Sequence, residues 1–168
     1  MLKKLSPYKR NSIIYLLTIA VGIYLDQLSK MLVVRYLKPV RDLPLIEGVF
    51  HFTYSENRGA AFGILSNNRW VFMLFSSVMI VALSVYLFYP KKQANQLFLI
   101  GTAMVVSGGI GNMIDRVALG YVVDFIDFCA FPKIWMWVFN VADACVCIGA
   151  GKGLADGGQY YASGESYY

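Results

Sequence analysis

Residues 70–89 carry no charged side chain, and an uncharged run of that length leaves few ways to fold in water. The hydrocarbon core of a bilayer is about 30 Å thick, and a helix rising about 1.5 Å per residue crosses it in about 20 residues. Three more apolar runs accompany this one. The first begins near Asn11 and passes through IIYLLTIAVGIYL into DQLSKMLVV; another covers residues 97 to about 113; the last starts near Trp135. Apolar residues make up 58% of the 168 and charged ones 15%, against about 45–50% and about 25% in soluble domains. In lipid each backbone N–H and C=O must be satisfied within its own element, so the four runs are predicted to be helices. The fold class expected is an all-α membrane protein with four transmembrane helices.

Lys3, Lys4, Lys9 and Arg10 precede the first run, as in a secretory signal. That run exceeds the usual apolar core of about 7–15 residues and lacks a small-residue cleavage site, so a retained helix is expected. Between the first two helices, about residues 38–69, VFHFTYS mixes β-branched and aromatic residues with polar ones. Short strands are predicted there, forming a small β-rich platform on the membrane surface. Basic residues gather beside the apolar runs, which assigns the net charge of +5 to lipid headgroups and not to a nucleic acid. The dense basic N-terminus and the tight loop with Lys91 and Lys92 favour the cytoplasmic side for both. The platform, the 112–116 end of the third helix and the start of the fourth then share the opposite face. Trp135 and Trp137 are expected as interfacial anchors. Cys129, Cys145 and Cys147 are odd in number and read as small packing residues. Gly108, Gly109 and Gly111 let helices approach closely.

Ionisable groups inside spanning helices cost about 2.5–3.5 kcal/mol each on insertion scales, which makes them functional candidates. Asp26 and Lys30 are four residues apart and share a helix face; Asn112, Asp115 and Arg116 form a second such group. Structural ion pairing stands beside a functional role for these acids, because each has a base nearby. Asp124 in VVDFIDF and Asp143 in FNVADACVC have no adjacent base. Two close carboxylates do not ionise together readily, so one holds a proton while the other acts as a base. Spacing alone leaves three readings open: a catalytic acid pair, a proton relay such as a small proton-coupled transporter would use, and structural pairing. A non-catalytic scaffold would leave both acids unexplained. Metalloprotease chemistry of the HExxH type needs two histidines, and His51 is the only one. Ser107, in VSGGIGN, has no histidine in any spanning run to serve as its base.

Five blocks carry a family resemblance: DQLSK at 26–30, NRGAAFG at 57–63, GGIGNMIDR at 108–116, GYVVDFIDF at 120–128 and FNVADACVCIG at 139–149. In this order and spacing the chain resembles the bacterial lipoprotein signal peptidases, the signal peptidase II family of aspartic peptidases. The resemblance implies four helices with both termini cytoplasmic, and a periplasmic β-cradle between helices 1 and 2. It also implies a multi-pass protein of the bacterial inner membrane with its active site on the periplasmic side. Asp124 and Asp143 correspond to the catalytic dyad. Asn57, Asn112, Arg116 and Asn140 correspond to residues lining the substrate site, and Asp26, Lys30 and Asp115 to supporting residues. The implied reaction is cleavage before the lipid-modified cysteine of a diacylglyceryl prolipoprotein. Partners implied are those precursors, membrane lipids and globomycin-type inhibitors; no metal or cofactor is implied.

The C-terminus departs from that pattern. Residues 138–150 fall short of the about 20 needed to span, and GKGLADGGQYYASGESYY follows. Lys152 can snorkel and extend the fourth helix to about Leu154. The expected organisation is a membrane-embedded peptidase domain over 1–154 and a disordered tail over 155–168.

Overall fold

The computed structural model of the chain describes residues 6–59, 69–89, 95–130 and 137–162. The end of the NRGAAFG block at 60–63, Trp135 and the basic loop at 90–92 lie outside those residues. Four long helices and a small sheet make up the fold: α1 (Pro7–Leu32), α2 (Arg69–Phe88), α3 (Gln96–Ala118) and α4 (Val141–Ala162). A π-helical turn, Val33–Leu37, prolongs α1. The strands are β1 (Asp42–Ile46), β2 (Phe50–Asn57), β3 (Val122–Phe128) and β4 (Val138–Phe139), antiparallel in the order β1-β2-β3-β4.

Local chemistry sets where helices begin. Pro7 occupies the first turn of α1 behind Ser6, whose side chain accepts from the Lys9 amide. Asn95 does the same for α3, accepting from the amides of Leu97 and Phe98. α3 is the central helix and is packed backbone to backbone. A Cβ on Gly108 would strike the carbonyl of Ala142 on α4, and one on Gly101 would lie 2.7 Å from the carbonyl oxygen of Gly149. Gly108 permits the close approach expected of it and brings the second half of α3 to the start of α4, while Gly101, near the start of α3, packs against the middle of α4.

The distribution of polarity is inverted relative to a soluble protein. Leu16, Leu17, Trp70, Leu74, Phe75 and Val85 are exposed, whereas Asp26, Lys30, Asp115, Asp124 and Asn140 are buried. Apolar outside and ionisable inside is the arrangement a lipid solvent selects. Among the described residues, two helices are long and apolar enough to cross a membrane, Tyr8–Leu37 and Gln96–Ala118; a shorter apolar helix runs over Met73–Phe88.

Two expectations need correction. The all-α description, with strands confined to the connection between α1 and α2, does not hold. β3 and β4 come from the connection between α3 and α4, and β3 pairs directly with β2. The signal was hidden because residues 122–125 are all buried, and a strand covered on both sides shows an apolar run in place of alternation. The second concerns α4, which does not end near Leu154 but stays helical through Ala162, inside the segment expected to be a disordered tail. Each interior glycine costs about 1 kcal/mol, yet a helix already nucleated gains a hydrogen bond per added residue, so glycine weakens the helix without ending it.

Candidate active site

Asn140 caps α4, and the cap is reciprocal. Its Oδ1 accepts from the Asp143 amide at 2.9 Å, while Asp143 Oδ2 accepts from the Asn140 amide at 3.2 Å. This is the capping-box arrangement with an aspartate as the returning acid. It fixes Asp143 in the first turn of α4. Asp124 arrives from a different element, standing opposite Ser55 in the β2–β3 ladder. Asn140 Nδ2 reaches across and donates to Asp124 Oδ1 at 2.6 Å. One fully buried side chain therefore touches both acids.

Two more amides complete the lining. Asn57 Nδ2, at the end of β2, donates to Asp124 Oδ2 at 3.0 Å. Asn112 Nδ2 on α3 donates to Asp143 Oδ1 at 2.7 Å, and its Oδ1 accepts from Asn140 Nδ2 at 3.1 Å and Lys30 Nζ at 3.0 Å. Arg116, one turn along, donates from Nη1 to the Asn112 carbonyl and stands within electrostatic reach of Asp143, Asp124 and Asp115.

Behind this layer lies a buried ionic cluster. Lys30 Nζ is 2.9 Å from Asp26 Oδ2 on its own helix and 2.9 Å from Asp115 Oδ2 on α3. The other Asp26 oxygen accepts from the Ala142 amide at 2.9 Å, and Asp115 Oδ2 accepts from the Val123 amide at 3.1 Å. Ala142 immediately precedes Asp143, and Val123 immediately precedes Asp124. The cluster thus clamps the backbone beside each acid of the pair.

All nine residues singled out from the sequence meet in this one network. Ser107 does not: it is buried along α3, and its Oγ donates to the Ile19 carbonyl. Gln27 was missed. Its Nε2 lies 3.0 Å from Asp26 Oδ2, 3.1 Å from Asp115 Oδ1 and 3.2 Å from the Gly111 carbonyl. Its place one residue after Asp26 in a polar block was the available signal. Among the described residues, no group of three or more His, Cys, Asp or Glu side chains could hold a metal ion.

Burial, and secondarily the negative charge of Asp143, pushes the Asp124 carboxyl up to about 7, against the opposing pull of the Asn57 and Asn140 amides. An acid that keeps its proton near neutral pH beside a second carboxylate equips the site for general acid–base work on a water and an amide.

The family model described as signal peptidase (SPase) II matches residues 18–156. The chain belongs to the signal peptidase II family. A lipoprotein signal peptidase from Clostridioides difficile (strain 630) is 46% identical over 137 residues, covering 81% of this chain and 88% of the relative. One from Caldanaerobacter subterraneus subsp. tengcongensis is 48% identical over 134 residues, covering 79% and 87%. A bacterial membrane enzyme solved by the in meso method at 2.3 Å resolution superposes with a TM-score of 0.80 at 28% identity, covering 92% of this chain and 93% of that one. A second, solved at 1.9 Å, gives 0.74 at 31%, covering 84% and 90%. As a signal peptidase II family member the chain is a membrane enzyme that hydrolyses peptide bonds in lipoprotein processing. The transporter and scaffold readings fall away.

Proposed function

We propose that Asp124 and Asp143 are the catalytic pair of an aspartic endopeptidase that removes signal peptides from diacylglyceryl prolipoproteins, cutting before the lipid-modified cysteine. The observation that carries this is Asn140, which holds two acids from separate elements in one buried network. Asp143 takes a proton from the attacking water. Asp124, protonated near neutral pH, donates to the scissile carbonyl oxygen as the tetrahedral intermediate forms. Return of a proton to the departing amine completes the cleavage. Asn57, Asn112, Arg116 and Asn140 line the place of the scissile peptide; Asp26, Lys30 and Asp115 support it from behind.

The same proposal includes the setting. Four helices span the inner membrane, both termini are cytoplasmic, and the sheet and acid pair lie on the extracytoplasmic side. Support comes from the basic N-terminus and from the apolar outer faces of the helices. A substrate with an apolar signal helix and two acyl chains then reaches the site laterally from lipid. A globomycin-type cyclic peptide is expected to block it. The test is a gel-shift assay on a lipidated precursor. Asp124→Asn and Asp143→Asn should each abolish processing while the protein still inserts, and globomycin should stop the wild type. Near-full activity in either variant rejects the pair.

A further inference from the structure

Where α1 leaves the apolar region it passes through a short basic stretch that the proposed chemistry does not use. Arg35 lies in the last turn of the candidate span Tyr8–Leu37, and Lys38 and Arg41 follow it, among the exposed apolar residues Val34, Tyr36 and Val40. Such a position is the headgroup layer, where aromatic and basic side chains gather. Lys38 and Arg41 are both held against one ring: the Lys38 ammonium is 5.1 Å and the Arg41 guanidinium 5.6 Å from the Tyr54 centroid. Arg41 also holds a left-handed backbone, φ 71°, in which a non-glycine residue is strained. Hydrogen bonds fix that conformation, from the Arg41 amide to the Leu37 carbonyl and from the Tyr54 amide to the Arg41 carbonyl.

The local charges do not cancel. Glu56 is the acid facing the cluster, held ionised at about 2 by Arg58, the Tyr54 hydroxyl and Lys38. Lys38 meets it at 3.3 Å and Arg58 at 2.9 Å. Asp42, the other acid nearby, is engaged by Thr53 and His51. Three cations, Lys38, Arg41 and Arg58, with Arg35 close by, therefore face two carboxylates, and among the described residues no ion pair holds the guanidinium of Arg41.

We propose that the corner between α1 and β1 binds the phosphate of an anionic phospholipid headgroup, which Lys38 and Arg41 grip above the Tyr54 ring. Arg35 adds to the local positive potential. The proposal rests on α1 spanning a bilayer, and it adds a headgroup preference to that reading. A bound anionic lipid neutralises the surplus charge and ties the base of the sheet to the membrane.

The full chain in phosphatidylcholine nanodiscs is titrated with short-chain phosphatidylglycerol, and retained lipid is read by native mass spectrometry. Wild type is expected to retain phosphatidylglycerol over phosphatidylcholine. Lys38→Gln and Arg41→Gln should each weaken that retention roughly fivefold, the effect of one cation near a charged surface. Arg41→Lys keeps the charge and should keep most of the binding, with thermal melting reporting that each variant is folded. Equal retention of both lipids, indifference to the two Gln substitutions, or displacement of the lipid by millimolar inorganic phosphate would each overturn the proposal. Resistance of the chain to alkaline extraction from membranes reports the spanning of α1 separately.

Discussion

Asn140 shows how much one neutral side chain carries at this site. Removing it leaves Asp124 Oδ1 and the Asp143 amide without the partners they have at 2.6 and 2.9 Å. A buried polar group left unpaired costs about 1–3 kcal/mol, and losing a helix cap costs about 1 kcal/mol. Asn140→Ala should still insert, melt lower, and process precursor at least about 100-fold more slowly, on the scale of lost acid–base catalysis; processing near wild-type rates would show that the cap does not position the pair. Asp124 adds a pH signature. Its folded value of about 7 lies above the about 3.9 of an unfolded aspartate. The stability it contributes is therefore complete below about pH 4 and is lost as pH rises through about 7. Asp124→Asn cannot ionise, so relative to wild type it should melt higher at pH 8 than at pH 5. Activity should fall on the alkaline side as Asp124 loses its proton, within a bell whose limits belong to the pair. The ionisable members of the site were legible because charge inside an apolar run is costly and so stands out. Gln27 carries no charge, and nothing in composition distinguished it from an ordinary polar neighbour.

Between elements, the argument turns on how β3 and α4 are brought together. Asp26 fixes the start of α4 through the Ala142 amide, and Asp115 fixes the start of β3 through the Val123 amide. Lys30 joins the two acids. Lys30→Met would leave both carboxylates buried without the cation they share, a loss of about 3–5 kcal/mol, read as a lowered melting temperature in detergent. The glycines of α3 give a finer test. A Cβ on Gly111 would sit 2.6 Å from Asp26 Oδ2, and one on Gly108 would strike the Ala142 carbonyl, whereas one on Gly109 meets the Ile80 side chain at 2.9 Å. A free apolar side chain such as Ile80 can turn aside; the α4 backbone, or the Asp26 carboxylate held by Lys30 and the Ala142 amide, cannot without disturbing the acid pair. Gly108→Ala and Gly111→Ala should therefore impair processing strongly, and Gly109→Ala only mildly. The first three helices were legible in the sequence as apolar runs long enough to span, and the fourth only as a shorter one. Their partners were not: Asp115 and Lys30 lie far apart in the chain, and VVDFIDF gave no period to mark it as a central strand.

Taken whole, the molecule buries the charges of its site and turns apolar helix faces outward, and that inversion makes the direction of insertion a functional matter. Substrate acyl chains and the site must meet at one depth, so the sheet and the 112–116 end of α3 have to share a membrane face. In the proposed topology the β1–β2 turn, where Glu47 is exposed, belongs to that face, and Asn95, at the start of α3, to the other. Cys129, Cys145 and Cys147 are free thiols and are first replaced by serine or alanine. In that background Glu47→Cys should react with a membrane-impermeant maleimide added to intact spheroplasts. Asn95→Cys should react only after the membrane is opened. Equal labelling of the two in intact cells would put the sheet and the start of α3 on the same side. α3 would then not cross, and Asp124 and Asp143 would lose the lipid-facing approach that a diacylated substrate requires.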